Sequence, residues 1–263
     1  MKNILRILFI VSVAVVITSS CTEKIDLNLK NSTPQLTIEG ELSDKPGPYY
    51  VILTKSRLYN QDNSFTGLPS ALVVISDDAG NTDTLTEPIA GLYITTSIQG
   101  TIGRTYHLQV TVEGTTYESY CKMYAPVDID TILLSTETEF DGKVKSKADI
   151  EVRDPTGIEN QYRVISYLNG DVSSGFEVNR DRLWDGKLRS FDVPHSDFQS
   201  GDTLQVDLLS LDERVFDYFR QFNQNDNNFG APAAPANPDP VFTPAALGYF
   251  SAHSIKSKTI IIP

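Results

Sequence analysis

The chain has 263 residues, with 34 Asp and Glu against 22 Lys and Arg, a net charge of −12. Such acidity excludes nucleic acid and other polyanions as partners and repels an anionic membrane surface, while cationic ligands, metal ions and neutral sugars stay open. The length allows one large or two ordinary domains, and the aliphatic and aromatic content is enough for cores that need no staples.

Met1 to Cys21 decides where the remaining residues work. Lys2 and Arg6 give a cationic start, Ile4 to Ile17 is almost unbroken apolar sequence, and Thr18-Ser19-Ser20 are small residues directly before Cys21. The apolar run falls short of the ~20 residues a permanent membrane helix needs, and a polar segment follows, so it reads as a secretory signal, residues 1–20, ending in a lipobox. Cys21 is then expected to begin the mature chain and to carry acyl chains that hold it on a membrane. The mature chain keeps 20 basic and 34 acidic residues, a net charge of −14. With Cys21 lipidated, Cys121 has no partner for an intramolecular disulfide. It lies in the alternating run Tyr117 to Tyr124, which predicts a small buried apolar residue.

Residues 21–34 are polar and mixed, and read as a lipidated tether. From Gln35 the pattern changes to short runs of Val, Ile, Thr and Tyr separated by Gly, Pro, Asn and Asp, which predicts strands at Gln35–Leu42, Tyr49–Lys55, Ala71–Ser76, Thr82–Thr86, Leu92–Thr95, Thr105–Glu113 and Thr115–Tyr124. Asp77 to Asn81 and Glu113-Gly114 supply turn residues that tolerate positive φ. Strands of this number over residues 35–125 suit an immunoglobulin-like β-sandwich. Tyr106, Leu108, Val110 and Val112 make one apolar strand face, so His107 points away from it as a solvated sheet residue.

Ala125-Pro126-Val127-Asp128 breaks the pattern and predicts a domain boundary too short for a free linker. The second domain, residues 126–263, is expected to be β-rich, with strands at Ile129–Ser135, Lys147–Arg153, Gln161–Asn169, Gly175–Val178, Leu188–Val193 and Thr203–Ser210, and a solvated hairpin tip at Thr138–Ser146. One amphipathic helix is expected near residues 211–224. Ser210 and Glu213 form its capping box, and Leu211, Val215, Phe219 and Phe222 form an apolar stripe with Phe216 beside it, expected to pack on a sheet through Val215, Phe219 and Phe222. The stretch 230–244 carries Pro232, Pro235, Pro238, Pro240 and Pro244, which forbids helix or central strand. A loop of that length is functional, mobile, or a stiff arm over the surface. Gly248 to His253 and Lys258 to Pro263 read as a closing strand or hairpin, its Ile-Ile-Ile ending suited to a central position in a core.

The motifs that carry common chemistries are missing from the sequence. There is no Gly-x-Ser-x-Gly elbow, no phosphate-binding glycine loop, no His-Glu-x-x-His and no Cys-x-x-Cys. His107, His195 and His253 are far apart, and the Asn-rich run after Asn223 lacks the glycine and glutamate of an EF-hand loop. No catalytic residue, metal site or cofactor is therefore expected. The weak ligand-binding candidates are Asp181, Asp185 and Trp184. Asp181, Asp185 and Asp192 could supply a carboxylate pair for glycoside cleavage, and Trp184, the only tryptophan, reads as a sugar-stacking platform or a plug at a domain interface.

Several ordered landmarks carry a family resemblance. They are Cys21 to Asp26, Gly91-Leu92-Tyr93, Gly103 to Val110, Asp154-Pro155 with Tyr162-Arg163, Ser200 to Thr203, Phe216 to Phe219, and Asn237-Pro238 leading to Leu247-Gly248-Tyr249-Phe250. Together they resemble a family of Bacteroidota outer-membrane lipoproteins known as domain of unknown function 4249. The resemblance implies a lipid-anchored accessory or binding protein working with a TonB-dependent outer-membrane transporter in cargo capture, and carries over no activity or catalytic residues. Glu23 after the lipid site fits surface-export signals of that phylum, which implies a cell-surface-facing position. The competing expectations are a surface hydrolase acting on glycan or peptide near Asp181–Asp192 or under the 230–244 loop, and a structural or adhesive surface protein.

Overall fold

The computed structural model describes residues 33–57, 66–138, 142–182, 184–226 and 237–263. The signal, Cys21, most of the tether and the first part of the proline-rich loop lie outside the described residues. Among the described residues alternating hydrophobicity produces sixteen strands: β1 (Leu36–Ser43), β2 (Tyr50–Lys55), β3 (Leu72–Asp77), β4 (Thr82–Thr84), β5 (Thr86–Ile89), β6 (Leu92–Ile94), β7 (Thr105–Val112), β8 (Thr115–Lys122), β9 (Ile129–Thr138), β10 (Val144–Arg153), β11 (Gln161–Leu168), β12 (Asp171–Val172), β13 (Glu177–Arg180), β14 (Leu188–Ser196), β15 (Thr203–Leu211) and β16 (Leu247–Ile261). A single helix among the described residues, α1 (Glu213–Asp226), sits between the last two strands.

The strands form three sheets. The largest has the order β12-β11-β15-β16-β1-β2-β6-β5, with β13 also paired to β11; the others are β4-β3-β7-β8 and β14-β10-β9. Period-2 alternation decides how they stack. Ile38 and Leu42 of β1, Val51 and Leu53 of β2 and Phe250 of β16 turn to one face of the large sheet, where they share a core with Val73, Ile75, Leu108 and Val110 of the four-stranded sheet. Further along that sheet, Tyr162, Val164, Leu204, Val206 and Leu208 share a second core with Ala148, Ile150, Val152, Phe191 and Val193 of the three-stranded sheet. The protein is thus mainly β and sandwich-like, with an immunoglobulin-like first half.

The expected boundary at Ala125–Asp128 does not divide the sheets. β16 pairs antiparallel with β15 and parallel with β1, so the large sheet runs through both halves, and Pro34–Pro263 form one compact unit. The closing segment is one fifteen-residue strand instead of a hairpin, and it is central in its sheet. Gly248 lies on it at φ +94°, where an added Cβ would fall 2.0 Å from the Ile38 carbonyl oxygen. The glycine is what lets β1 and β16 approach.

The helix differs from expectation in its cap and its stripe. Ser210 and Leu211 stay in β15, paired across to Tyr162 and Gln161 of β11. Asp212 is the cap, its carboxylate accepting the Arg214 N–H at 3.0 Å and its carbonyl the Phe216 N–H at 2.9 Å. Sheet pairing outcompetes the capping box because it satisfies the backbone of two further residues. Val215, Phe216 and Phe219 are buried, whereas Phe222 is 46 % exposed, its ring tilted against that of Phe176 with centroids 6.3 Å apart. The helix packs through Phe219 on Tyr249 of β16, on the face opposite the two smaller sheets.

Asp83 on β4 fastens the first half. Its buried carboxylate accepts the N–H groups of Thr96, Ser97 and Ile98 at 2.7, 2.7 and 3.0 Å and the Thr96 hydroxyl at 2.6 Å. Burial pushes its pKa up, but these four bonds outweigh that and hold it down to about 2. A depressed carboxylate contributes stability above its unfolded pKa and loses it as the pH falls through the folded value. Asp83→Asn is therefore expected to cost about 2 kcal/mol at neutral pH. Urea melts at descending pH should show the wild type and variant converging as the pH approaches about 2.

Candidate functional site

The sequence candidates Asp181, Asp185 and Trp184 come together in the turn after β13, and the structure adds a fourth residue, Asp154, at the end of β10. Carboxylate oxygens of Asp154, Asp181 and Asp185 all lie within 4.8 Å of one another. Asp154 and Asp181 are buried and Asp185 is exposed. The turn is built by backbone bonds from Trp184 N–H to the Asp181 carbonyl at 2.7 Å and from Lys187 N–H to the Trp184 carbonyl at 2.9 Å.

Each carboxylate has donors from the chain itself. Asp154 accepts the Tyr162 hydroxyl at 2.5 Å, the Asn160 side-chain amide at 3.3 Å and the Gly186 N–H at 3.2 Å. Asp181 accepts the Asn160 N–H at 3.0 Å, and Asp185 the Gly157 N–H at 2.7 Å. Burial raises the pKa of Asp181; the Asn160 N–H pulls it down, and the neighbouring Asp154 charge and hydrogen bond push it up again. Burial likewise raises the Tyr162 phenol, with the Asp154 carboxylate adding to the effect.

Chemically, three oxygens at this spacing could ligate a hard cation, but the same oxygens already close the loops 154–160 and 181–187 onto each other. Asp192, the third sequence candidate, lies elsewhere, on β14 opposite Asp149 and 3.1 Å from the Lys147 ammonium. Trp184 is 8 % exposed and packs in the second core between Tyr162, at 6.1 Å, and Phe191, at 5.3 Å. It plugs a core, not an interface between domains. Sequence reasoning misses Asp154 as a site residue because its partner Tyr162 is on another strand; its place in Asp154-Pro155 gives no sign of burial.

The three histidines keep separate company. His107 stacks on Tyr120 with ring centroids 4.0 Å apart, His253 is buried with Nδ1 at 2.9 Å from the Ser251 hydroxyl, and His195 Nδ1 is 2.9 Å from the Ser166 hydroxyl. Ser166 has no exposed surface, so that pair offers no accessible nucleophile. His195 lines an open polar cleft of about 700 Å³ with Lys145, Lys147, Ser173, Ser174 and Asp192. Cys121 is buried, as its strand pattern predicts, and burial pushes its thiol pKa up, the opposite of a reactive cysteine.

Fold and site together define a mainly β, sandwich-like protein with an internally satisfied carboxylate cluster. The chain belongs to the family described as Domain of unknown function (DUF4249), whose model matches residues 22–259. No curated protein matches it in sequence. Among solved structures it is similar to the chicken interferon gamma receptor alpha chain, at 12 % identity and a TM-score of 0.24, over 88 % of this chain and 100 % of that one.

If the cluster is a structural clasp, its members differ in worth. Asp154→Ala strands three donors, two of them on buried residues, and should cost about 3 kcal/mol in chemical denaturation. Asp185→Ala, at the exposed corner, should cost no more than about 1 kcal/mol.

Proposed function

We infer that this protein is a lipid-anchored outer-membrane accessory or binding protein of the Bacteroidota, facing the cell surface and working with a TonB-dependent transporter in cargo capture. The observation that carries the reading is the leader: a cationic start, a short apolar run and small residues before Cys21, placed ahead of a β-rich body that begins at Pro34. A family model that begins at residue 22, directly after that cysteine, supports the same division. Among the described residues no helix is long and apolar enough to cross a membrane, and acyl chains on Cys21 are the attachment this reading assigns. A non-catalytic role is supported by the site itself, where Asp181 and Trp184 are committed to packing and internal hydrogen bonds.

The anchor can be tested directly. Cys21→Ala should leave the chain without acyl groups by mass spectrometry and move it from the membrane pellet to the soluble fraction. Surface protease should digest the wild-type chain on intact cells. A Cys21→Ala protein that still carries lipid and pellets with membranes would refute the reading.

A further inference from the structure

Strands of two different sheets meet around the cleft beside His195. The β9–β10 hairpin gives it Glu137, Lys145 and Lys147, β14 gives Asp192 and His195, and the segment after β12 gives Ser174, around an open volume of about 700 Å³. That size falls within the ~300–1,000 Å³ of ordinary small-molecule sites. Hydrogen bonds between the sheets fix its floor. The Ser173 N–H donates to the Ser166 carbonyl at 2.9 Å, the Ser173 hydroxyl donates to the Pro194 carbonyl, and the Gly175 N–H donates to the Ser173 hydroxyl at 3.1 Å. His195 has its Nδ1 at 2.9 Å from the buried Ser166 hydroxyl, so the edge it turns to the cleft is the Nε2 edge.

The cleft is also well separated from the start of the body. Val172, on its rim, is in register with Tyr167, Gln205 and Thr259 towards the end of β16, while Thr37, close to Pro34, pairs with Leu247 at the beginning of that strand. The run of strand from Leu247 to Thr259 covers roughly 40 Å.

Charge decides what such a cleft can hold. Lys145 stands directly opposite Glu137 across β10 and β9, and the Lys147 ammonium is 3.1 Å from an Asp192 oxygen. These four charges sum to zero, so an anionic ligand meets Glu137 and Asp192 and a cationic one meets the two lysines. An ammonium only donates hydrogen bonds, a carboxylate only accepts them, and a hydroxyl does both. An ammonium beside a carboxylate therefore matches neighbouring hydroxyl groups, which accept from the first and donate to the second. Asp192 has 66 % of its side chain exposed beside Lys147, which leaves lone pairs for that role. Val172, Val193 and Pro194 supply apolar wall, suited to the C–H surface between hydroxyls.

We propose that this cleft binds a neutral polyhydroxylated ligand, a saccharide, through the Lys147–Asp192 and Lys145–Glu137 pairs and the Nε2 edge of His195. This names the class of cargo in the capture reading given above, on which it rests. The test uses the full chain in a mild detergent without sugar headgroups, and saturation-transfer NMR with maltotriose, cellotriose, mannotriose and chitotriose as probes. Trigalacturonic acid, trilysine and trialanine are the anionic, cationic and peptide comparisons. At least one of the four neutral sugars should bind, more tightly than any comparison probe. Lys147→Met and Asp192→Asn should each raise its dissociation constant at least about tenfold. Val172→Trp, at a rim position that is 60 % exposed, should block binding with an unchanged thermal melt, and decides the matter if breaking the ion pair weakens the fold. No saturation transfer to any of the four sugars at about 10 mM overturns the proposal. So does tighter binding of a comparison probe, or sugar binding that Val172→Trp leaves intact. None of these readouts involves a transporter, so the cleft and the transporter partnership can fail separately.

Discussion

The pairing of β1 with β16 is the constraint from which the rest follows. The first strand of the body and the last lie side by side and parallel, from Thr37 opposite Leu247 to Ser43 opposite His253. Parallel neighbours cannot be joined by a hairpin, so the chain between them, which also gives β2, β5, β6, β11, β12, β13 and β15 to the same sheet, has to leave the sheet and return. The chain does so twice over: β3, β4, β7 and β8 build the small sheet over one end, and β9, β10 and β14 the small sheet over the other. Gly248 lets the two backbones approach, Phe250 fills the core beside Gly40, and the Tyr249 hydroxyl donates to Glu41 at 2.8 Å across the same seam. The Gly-Tyr-Phe of the sequence is thus a joint as well as core packing.

Much of the fold is legible residue by residue. Strands with clean alternation, such as Thr105 to Val112 around Tyr106, Leu108 and Val110, occur within a residue or two of their expected limits, because one buried face fixes period 2 whatever the partner is. What sequence pattern does not carry is partnership. Nothing local tells that Leu247–Ile261 joins β15 to β1, so the break at Ala125–Asp128 looks like a boundary although one sheet passes through both halves. Ser210 fails as a cap for the same reason: a box of Ser and Glu is a local signal, and strand pairing with Tyr162 is not.

The candidate site shows the same limit. Asp181, Asp185 and Trp184 stand out in the sequence as polar and aromatic residues close together, and they do cluster. Their burial reverses the reading of what they do. Trp184 packs against Tyr162 and Phe191, and Asp181 is held by Asn160 with a raised pKa beside Asp154. Desolvated carboxyls in pairs are as much a device for closing loops as for chemistry.

Association with a transporter at the membrane is the claim on which the proposed function rests. Gentle solubilisation of outer membranes, capture of the lipidated chain and quantitative mass spectrometry of what accompanies it test this most directly. A TonB-dependent β-barrel recovered in stoichiometric amount is the predicted result. Recovery of the protein at full yield without any barrel would contradict it.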